Sequence, residues 1–197
     1  MLQILSVCTG NICRSPLAEQ LLRTRLADVG VVVSSAGTRA PEARPMTPEA
    51  RHLAVNLGVP ASDSDAHRSR FLTEAHLAEP DLIITMTREQ RRTVAELAPA
   101  RFRSTFTLRE FARLASDVSN DDLRTAVDES DEPSERLRSA LAALAGRRGI
   151  ALPPQDPADD DVIDPYRQSW EIYQQSAAQM LPALGAVETL IRTAATV

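Results

Sequence analysis

The 197-residue chain predicts an α/β fold, a parallel sheet with helices on both faces. Short apolar runs of strand type alternate with stretches of helical spacing, the pattern of repeated β-α units. The first run, Leu2-Gln3-Ile4-Leu5-Ser6-Val7, passes through a short loop into a helical pattern that opens at Pro16-Leu17-Ala18-Glu19. The length suffices for one domain with a substantial core, since domains commonly run to ~100–150 residues and beyond.

Gln3–Val7 reads as a buried strand, and Leu17–Ala27 as an amphipathic helix with Leu17, Leu21, Leu22 and Leu26 on one stripe. Val31-Val32-Val33 begins a second strand that ends at Gly37. Thr47 is a candidate N-cap, with Pro48 at the first helical position and Glu49 in the first turn, for a helix to about Leu57-Gly58. Thr73–Ala78 is a short helix halted by Glu79-Pro80. Asp81–Met86 is a third strand, and Thr87 caps a helix to about Leu97. Ser104–Thr107 reads as a fourth strand, followed by a helix over Leu108–Leu114.

Beyond Ala115 the pattern changes. Ser116–Ser134 is polar and acidic, and Glu135–Arg148 is a helix with Leu137, Leu141 and Leu144 on one stripe. Gly149, Pro153-Pro154 and Asp159-Asp160-Asp161 form a turn-rich link. This stretch is either a surface segment packed by its single stripe or a lid or docking arm. The first is favoured because long insertions cost little loop entropy. Ser169–Ala194 returns to helical spacing, with Trp170, Tyr173, Met180, Leu184, Val187, Leu190 and Ile191 as expected core positions. Pro182 lies inside and should kink or divide this helix.

Composition excludes several functions. The net charge of −5 opposes nucleic-acid binding, which favours a basic stripe. No apolar stretch approaches the ~20 residues of a membrane helix, and no signal-type leader precedes the first strand. Both cysteines lie in one short loop, which makes no disulfide framework, and His52, His67 and His76 are scattered, which makes no zinc site. No metal or cofactor is expected, and the expected location is the reducing cytoplasm.

The chemistry is concentrated in Cys8-Thr9-Gly10-Asn11-Ile12-Cys13-Arg14-Ser15. A turn entering a helix converges backbone N–H groups on a phosphate-sized anion. The same positive field favours the thiolate of Cys8, the form that attacks. Arg14 adds two coplanar donors for phosphoryl oxygens, a geometry lysine lacks. Gly10-Asn11 tolerates the backbone twists of such a loop, and Pro16 suits a first helical position. In an open α/β sheet this loop lies where ligands bind, at the carboxyl end of a strand. These residues point to chemistry on a phosphoryl group.

Val7–Pro16 resembles the signature of the low-molecular-weight protein tyrosine phosphatase family, in its bacterial form. The resemblance continues through Ser34-Ser35-Ala36-Gly37-Thr38, His67-Arg68-Ser69-Arg70, Asp81-Leu82-Ile83-Ile84-Thr85-Met86 and Asp164-Pro165-Tyr166, in the family's order. It implies a flavodoxin-like open parallel sheet of four strands flanked by helices. The chain would be a single domain, residues 1–197, with a helical and acidic insertion at about 115–161 ahead of the acid loop. The implied activity is metal-independent hydrolysis of phosphotyrosine through a phosphocysteine on Cys8. Thr9, Gly10, Asn11, Ile12, Cys13 and Ser15 would surround the phosphate with Arg14, and Ser15 would also donate to the Cys8 sulfur.

A leaving phenoxide needs a proton, and the same group can later activate water. Composition alone does not choose among Asp159, Asp160, Asp161 and Asp164. The resemblance selects Asp164, because Pro165-Tyr166 continues the motif. Tyr166 would stack on the substrate ring or stand as a half-buried rim residue. By the same resemblance Asn11, Ser35 and His67 would brace the loop through hydrogen bonds, and Cys13 would rescue oxidised Cys8 as a disulfide.

One departure concerns the substrate. Residues 39–46 carry no aromatic, leaving Tyr166, Ile12 and Met46 to meet a ring, while Arg39 and Arg44 suit acidic flanking sequence. The expected partner is a tyrosine-phosphorylated protein, in bacterial relatives a tyrosine kinase or enzyme of polysaccharide synthesis. Rival readings are an arsenate reductase using a small-molecule thiol, a non-catalytic phosphoprotein-binding module, and a phosphatase of sugar phosphates or nucleotides.

Overall fold

A computed structural model describes residues 1–118 and 130–196. Its centre is a four-stranded, wholly parallel sheet in the order β2-β1-β3-β4. The strands are β1 (Gln3–Cys8), β2 (Val32–Gly37), β3 (Leu82–Thr85) and β4 (Thr105–Thr107). Cys8 pairs with Gly37, Val7 with Thr85, and Thr85 with Thr107, so the carboxyl ends of all four strands lie level.

Both faces of the sheet are covered, which is why its strands read as nearly unbroken apolar runs. Ile4, Leu82 and Ile84 face the larger core, with α1 (Arg14–Arg25), α6 (Leu108–Asp117), α7 (Pro133–Gly146) and α8 (Trp170–Thr196). Leu5, Val7 and Ile83 face a smaller core with Leu77 of α4 (Glu74–Ala78) and Val94 of α5 (Arg88–Leu97). Alternation along each strand delivers successive residues to opposite faces.

Caps set several boundaries. Thr47 Oγ1 accepts the Ala50 N–H at 3.3 Å and starts α2 (Pro48–Asn56). Thr87 and Gln90 form a reciprocal capping box, with Gln90 N to Thr87 Oγ1 at 3.3 Å and Thr87 N to Gln90 Oε1 at 3.0 Å. The helix α3 (Ala61–Ala66) was not expected: Ala-Ser-Asp-Ser-Asp-Ala buries only Ser64, so it has no apolar stripe. The first helix begins at Arg14 rather than Leu17, placing Pro16 third rather than first. A missing N–H costs little there too, since the first turn's amides lack intrahelical partners.

The expected division at Pro182 does not occur. α8 continues through it as one element, with Pro182 exposed and Met180 and Leu184 buried on either side. Packing of this stripe offsets the lost hydrogen bond. Trp170 is half-buried at the edge, its ring 5.2 Å from that of His52, rather than in the core.

The segment that follows α6 lies against the body where it is described. Leu137, Leu141 and Leu144 of α7 are buried in the larger core, as their spacing predicts. Arg148 secures its exit, with Nε 2.9 Å from Glu110 Oε1 and Nη2 2.6 Å from the Thr105 carbonyl. Its guanidinium lies 4.3 Å from the Phe106 ring centroid. Residues 119–129 of the expected acidic stretch fall outside the described residues. Among the described residues no helix is long and apolar enough to cross a membrane.

Candidate active site

Cys8 ends β1 and is buried at the carboxyl edge of the sheet. Two donors converge on its sulfur, the Asn11 N–H at 3.2 Å and the Ser15 hydroxyl at 3.0 Å. Both would stabilise negative charge on Sγ.

Asn11 gives the loop its shape. It adopts φ 51°, in the left-handed region that asparagine tolerates. Gly10, expected to share this twist, does not enter that region; a Cβ there would instead lie 3.3 Å from Ile12 Cγ1. The buried Asn11 amide donates to Ser15 Oγ at 3.0 Å and Ser35 Oγ at 2.8 Å, and its Oδ1 accepts the Arg70 N–H at 2.8 Å. Its carbonyl meets His67 Nε2 at 2.8 Å. A carbonyl only accepts, so Nε2 carries the proton. Burial pushes the His67 imidazole below its ordinary value, against the opposing pull of the Asn11 carbonyl. Hydrogen bonds thus join Asn11 to both Ser35 and His67.

The network extends to residues that sequence reasoning missed. Ser35 donates to the buried Glu19 carboxylate, which also pairs with Arg23. Gln90 Nε2 donates to Thr9 Oγ1 at 3.0 Å while its Oε1 accepts the Met86 and Thr87 N–H groups. Thr87-Arg88-Glu89-Gln90 spells a capping box, a signal from which Gln90 was legible. At Gly37 a Cβ would fall 2.6 Å from the Thr9 carbonyl and 2.9 Å from Asn11 N, so the β2 exit presses on the loop backbone.

Arg14 is the first residue of α1 and is almost wholly buried. Its Nη1 donates to the Val162 carbonyl at 3.0 Å and its Nη2 lies 2.6 Å from Asp164 Oδ2. Its Nε is buried with no hydrogen-bond partner among the described residues, a donor that a phosphoryl oxygen would satisfy. Asp164 is half exposed, and its Oδ1 accepts the Tyr166 N–H at 3.2 Å. Tyr166 is exposed at the rim, with the Arg167 guanidinium 5.1 Å from its ring centroid.

A pocket of about 190 Å³ joins these groups, lined by Cys8, Thr9, Gly10, Ile12, Cys13, Arg14, Arg39, Pro41, Asp164 and Tyr166. Arg39 reaches it, whereas Arg44 and Met46 do not line it. Met46 is buried beneath the loop, its sulfur accepting Gln20 Nε2 at 3.2 Å. A larger cleft of about 470 Å³ opens beside Asp81, Arg101 and Arg138, at the other end of the sheet, and contains no cysteine.

Cys13 is buried, 3.5 Å from Thr47 Oγ1 and 3.7 Å from the Tyr173 hydroxyl. Burial pushes its thiol up to about 11, although both hydrogen bonds oppose the rise. Tyr173 is a packing residue with its hydroxyl on Thr47 at 3.1 Å. Among the described residues no group of three His, Cys, Asp or Glu side chains is placed to hold a metal ion.

Residues 3–146 match the family model described as Low molecular weight phosphotyrosine protein phosphatase. The chain is 34% identical over 144 residues to a probable low molecular weight protein-tyrosine-phosphatase, EpsP, of Ralstonia nicotianae, covering 73% of this chain and 94% of that one. It is 30% identical over 152 residues to a protein-arginine-phosphatase of Bacillus subtilis, covering 73% and 95%. The structure of Vibrio vulnificus Wzb in complex with benzylphosphonate superposes with a TM-score of 0.65 at 24% identity, covering 95% of this chain and 97% of that one.

Proposed function

Because the chain belongs to the low molecular weight phosphotyrosine protein phosphatase family, we propose that its Cys8, Arg14 and Asp164 carry out phosphotyrosine hydrolysis. The single observation behind this assignment is the convergence of all three side chains on one pocket, with Asn11 N–H and Ser15 Oγ aimed at the sulfur.

The steps follow from charge. A phosphotyrosine dianion takes the place of the Asp164 carboxylate on Arg14 and engages Nε as well. Cys8 Sγ attacks phosphorus, an S–P bond forms, and the P–O bond to the phenol breaks. Asp164, once displaced from Arg14, takes up the proton that the Cys8 thiol gives up on ionising and delivers it to the departing oxygen. Water then attacks phosphorus, Asp164 accepts its proton, and the S–P electron pair returns to Sγ. Ser15 and the Asn11 N–H stabilise that returning charge, while loop amides and Arg14 serve the equatorial oxygens. Thr9, Gly10, Ile12 and Cys13 shape the cradle, and Ser35 and His67 brace it through Asn11.

Residues 1–197 constitute one phosphatase domain in this reading, with about 115–161 as its insertion. The substrate is a tyrosine-phosphorylated protein of the cytoplasm, and by family resemblance a bacterial tyrosine kinase of polysaccharide synthesis.

Similarity to protein-arginine-phosphatases raises phosphoarginine as a second substrate. Ile12, Pro41 and the Tyr166 ring give the pocket apolar walls, which suit a phenyl ring. A guanidinium would need acceptors there beyond Asp164, and unmet polar groups are costly. Parallel assays on phosphotyrosine and phosphoarginine peptides test the choice. A kcat/KM ratio of roughly 100 or more for phosphotyrosine is expected, and a ratio below one would reverse the assignment. Acid-quenched turnover should also yield phosphate on the Cys8 peptide, and on no other.

A further inference from the structure

Asp160 and Asp161, two of the carboxylates close to Asp164 in sequence, are held by arginines rather than facing the pocket. Asp160 is buried, and its carboxylate takes Arg113 Nε at 3.1 Å and Nη2 at 2.8 Å. Its carbonyl accepts the Thr107 hydroxyl at 2.6 Å. Asp161 Oδ1 accepts the Arg88 N–H at 2.7 Å, and the Arg88 side chain reaches the same carboxylate at 3.4 and 3.3 Å. The Asp161 carbonyl takes Arg109 Nη1 at 3.0 Å. Next, Val162 N donates to the Met86 carbonyl at 2.8 Å, and Ile163 N to Gln179 Oε1 at 2.9 Å.

Residues 160–163 are thus anchored to α5, α6, α8 and the ends of β3 and β4, immediately before a carboxylate that is half exposed. Without such anchors an exposed loop would spread Asp164 over many positions, at a cost in reactive geometry. Two-point contacts by a planar guanidinium fix direction as well as distance. Arg113 Nη1 also donates to the Leu152 carbonyl at 3.2 Å. One side chain therefore holds both the insertion's exit and the acid loop.

We propose that Arg113 and Arg88 are positioning residues for proton transfer, acting through Asp160 and Asp161 to aim Asp164 over Cys8. The proposal rests on the reading of Asp164 as the general acid. It makes the clamp matter most when the leaving group needs a proton. Phenyl phosphate needs one; 2,4-dinitrophenyl phosphate, whose phenolate is stable, does not.

The test compares kcat/KM on both esters for wild type, Arg113→Ala, Arg113→Lys, Arg88→Lys and Asp160→Asn, with Asp164→Asn as reference. On phenyl phosphate the alanine and asparagine clamp variants should lose roughly 10- to 100-fold, and the lysine variants less. On the dinitrophenyl ester all clamp variants should match wild type, which also shows that they fold. Equal losses on both esters, or no loss on phenyl phosphate, would overturn the proposal. A contrast in Asp164→Asn without one in the clamp variants rejects the clamp alone. If Asp164→Asn shows no contrast, the acid assignment fails and the clamp fails with it.

Discussion

Arg14 Nη2 and Asp164 Oδ2 lie 2.6 Å apart, joining the start of α1 to the segment that follows Val162. The carboxylate balances the charge of a buried guanidinium. In the proposed reaction a substrate phosphoryl group competes with Asp164 for Arg14, and the displaced carboxylate is released beside the leaving group.

That competition predicts an unusual variant. Asp164→Asn should hydrolyse substrate poorly yet bind inorganic phosphate more tightly, by roughly fivefold, about the worth of one partly exposed ion pair. Competitive inhibition by phosphate measures it. An unchanged or raised inhibition constant would show that the pair does not oppose anion binding.

Ser15→Ala removes a hydroxyl donor 3.0 Å from Cys8 Sγ. A hydrogen bond to a charged group is worth about 2 kcal/mol, so kcat should fall roughly 30-fold. Because Sγ carries the returning charge in the second step, phosphoenzyme should accumulate in this variant. Rapid-quench measurement of phosphocysteine checks it.

Gly37→Ala places a Cβ against the Thr9 carbonyl and Asn11 N, both backbone atoms that cannot swing aside. Overpacking of this kind costs about 2 kcal/mol, equivalent to a fall in Tm of roughly 6 °C. Activity should fall as well, since the displaced atoms belong to the cradle. Thermal unfolding and turnover of the same sample measure both.

Cys13 governs a pH dependence. Its thiol is raised to about 11 by burial, so the attacking thiolate is scarce at neutral pH and grows tenfold with each unit of rise below that value. Formation of a Cys8–Cys13 disulfide after peroxide should therefore accelerate from pH 7 to pH 9. Mass spectrometry of alkylated peptides follows it. If Cys13→Ser, once reduced by thiol, recovers as fully as wild type at both values, disulfide rescue is wrong.

Much of this arrangement was legible in the sequence because local signals agree with the tertiary structure. Apolar runs marked the four strands, and Thr47 and Thr87 marked two helix starts. Cys8, Arg14 and Ser15 were legible because a phosphate loop needs these groups close together in sequence. Asp164 was not legible from composition, since four aspartates within six residues offer the same chemistry. What separates them is where each is held, a tertiary fact: Arg113 and Arg88 hold Asp160 and Asp161, Asp159 caps its own turn through the Asp156 N–H, and only Asp164 of the four lines the pocket beside Arg14. Glu19 was missed for a similar reason: its helical position gives no sign that it is buried under Ser35. The continuity of α8 through Pro182 was not legible because propensity takes no account of a long stripe packed on both sides of it.

The most direct measurement is hydrolysis of p-nitrophenyl phosphate and a phosphotyrosine peptide, in chelator, by wild type, Cys8→Ser and Asp164→Ala. Wild type should turn over both substrates, Cys8→Ser neither, and Asp164→Ala should be slower by roughly 100-fold or more on the peptide. Absence of turnover by folded wild type, or activity that survives in Cys8→Ser, would contradict a phosphatase built on Cys8.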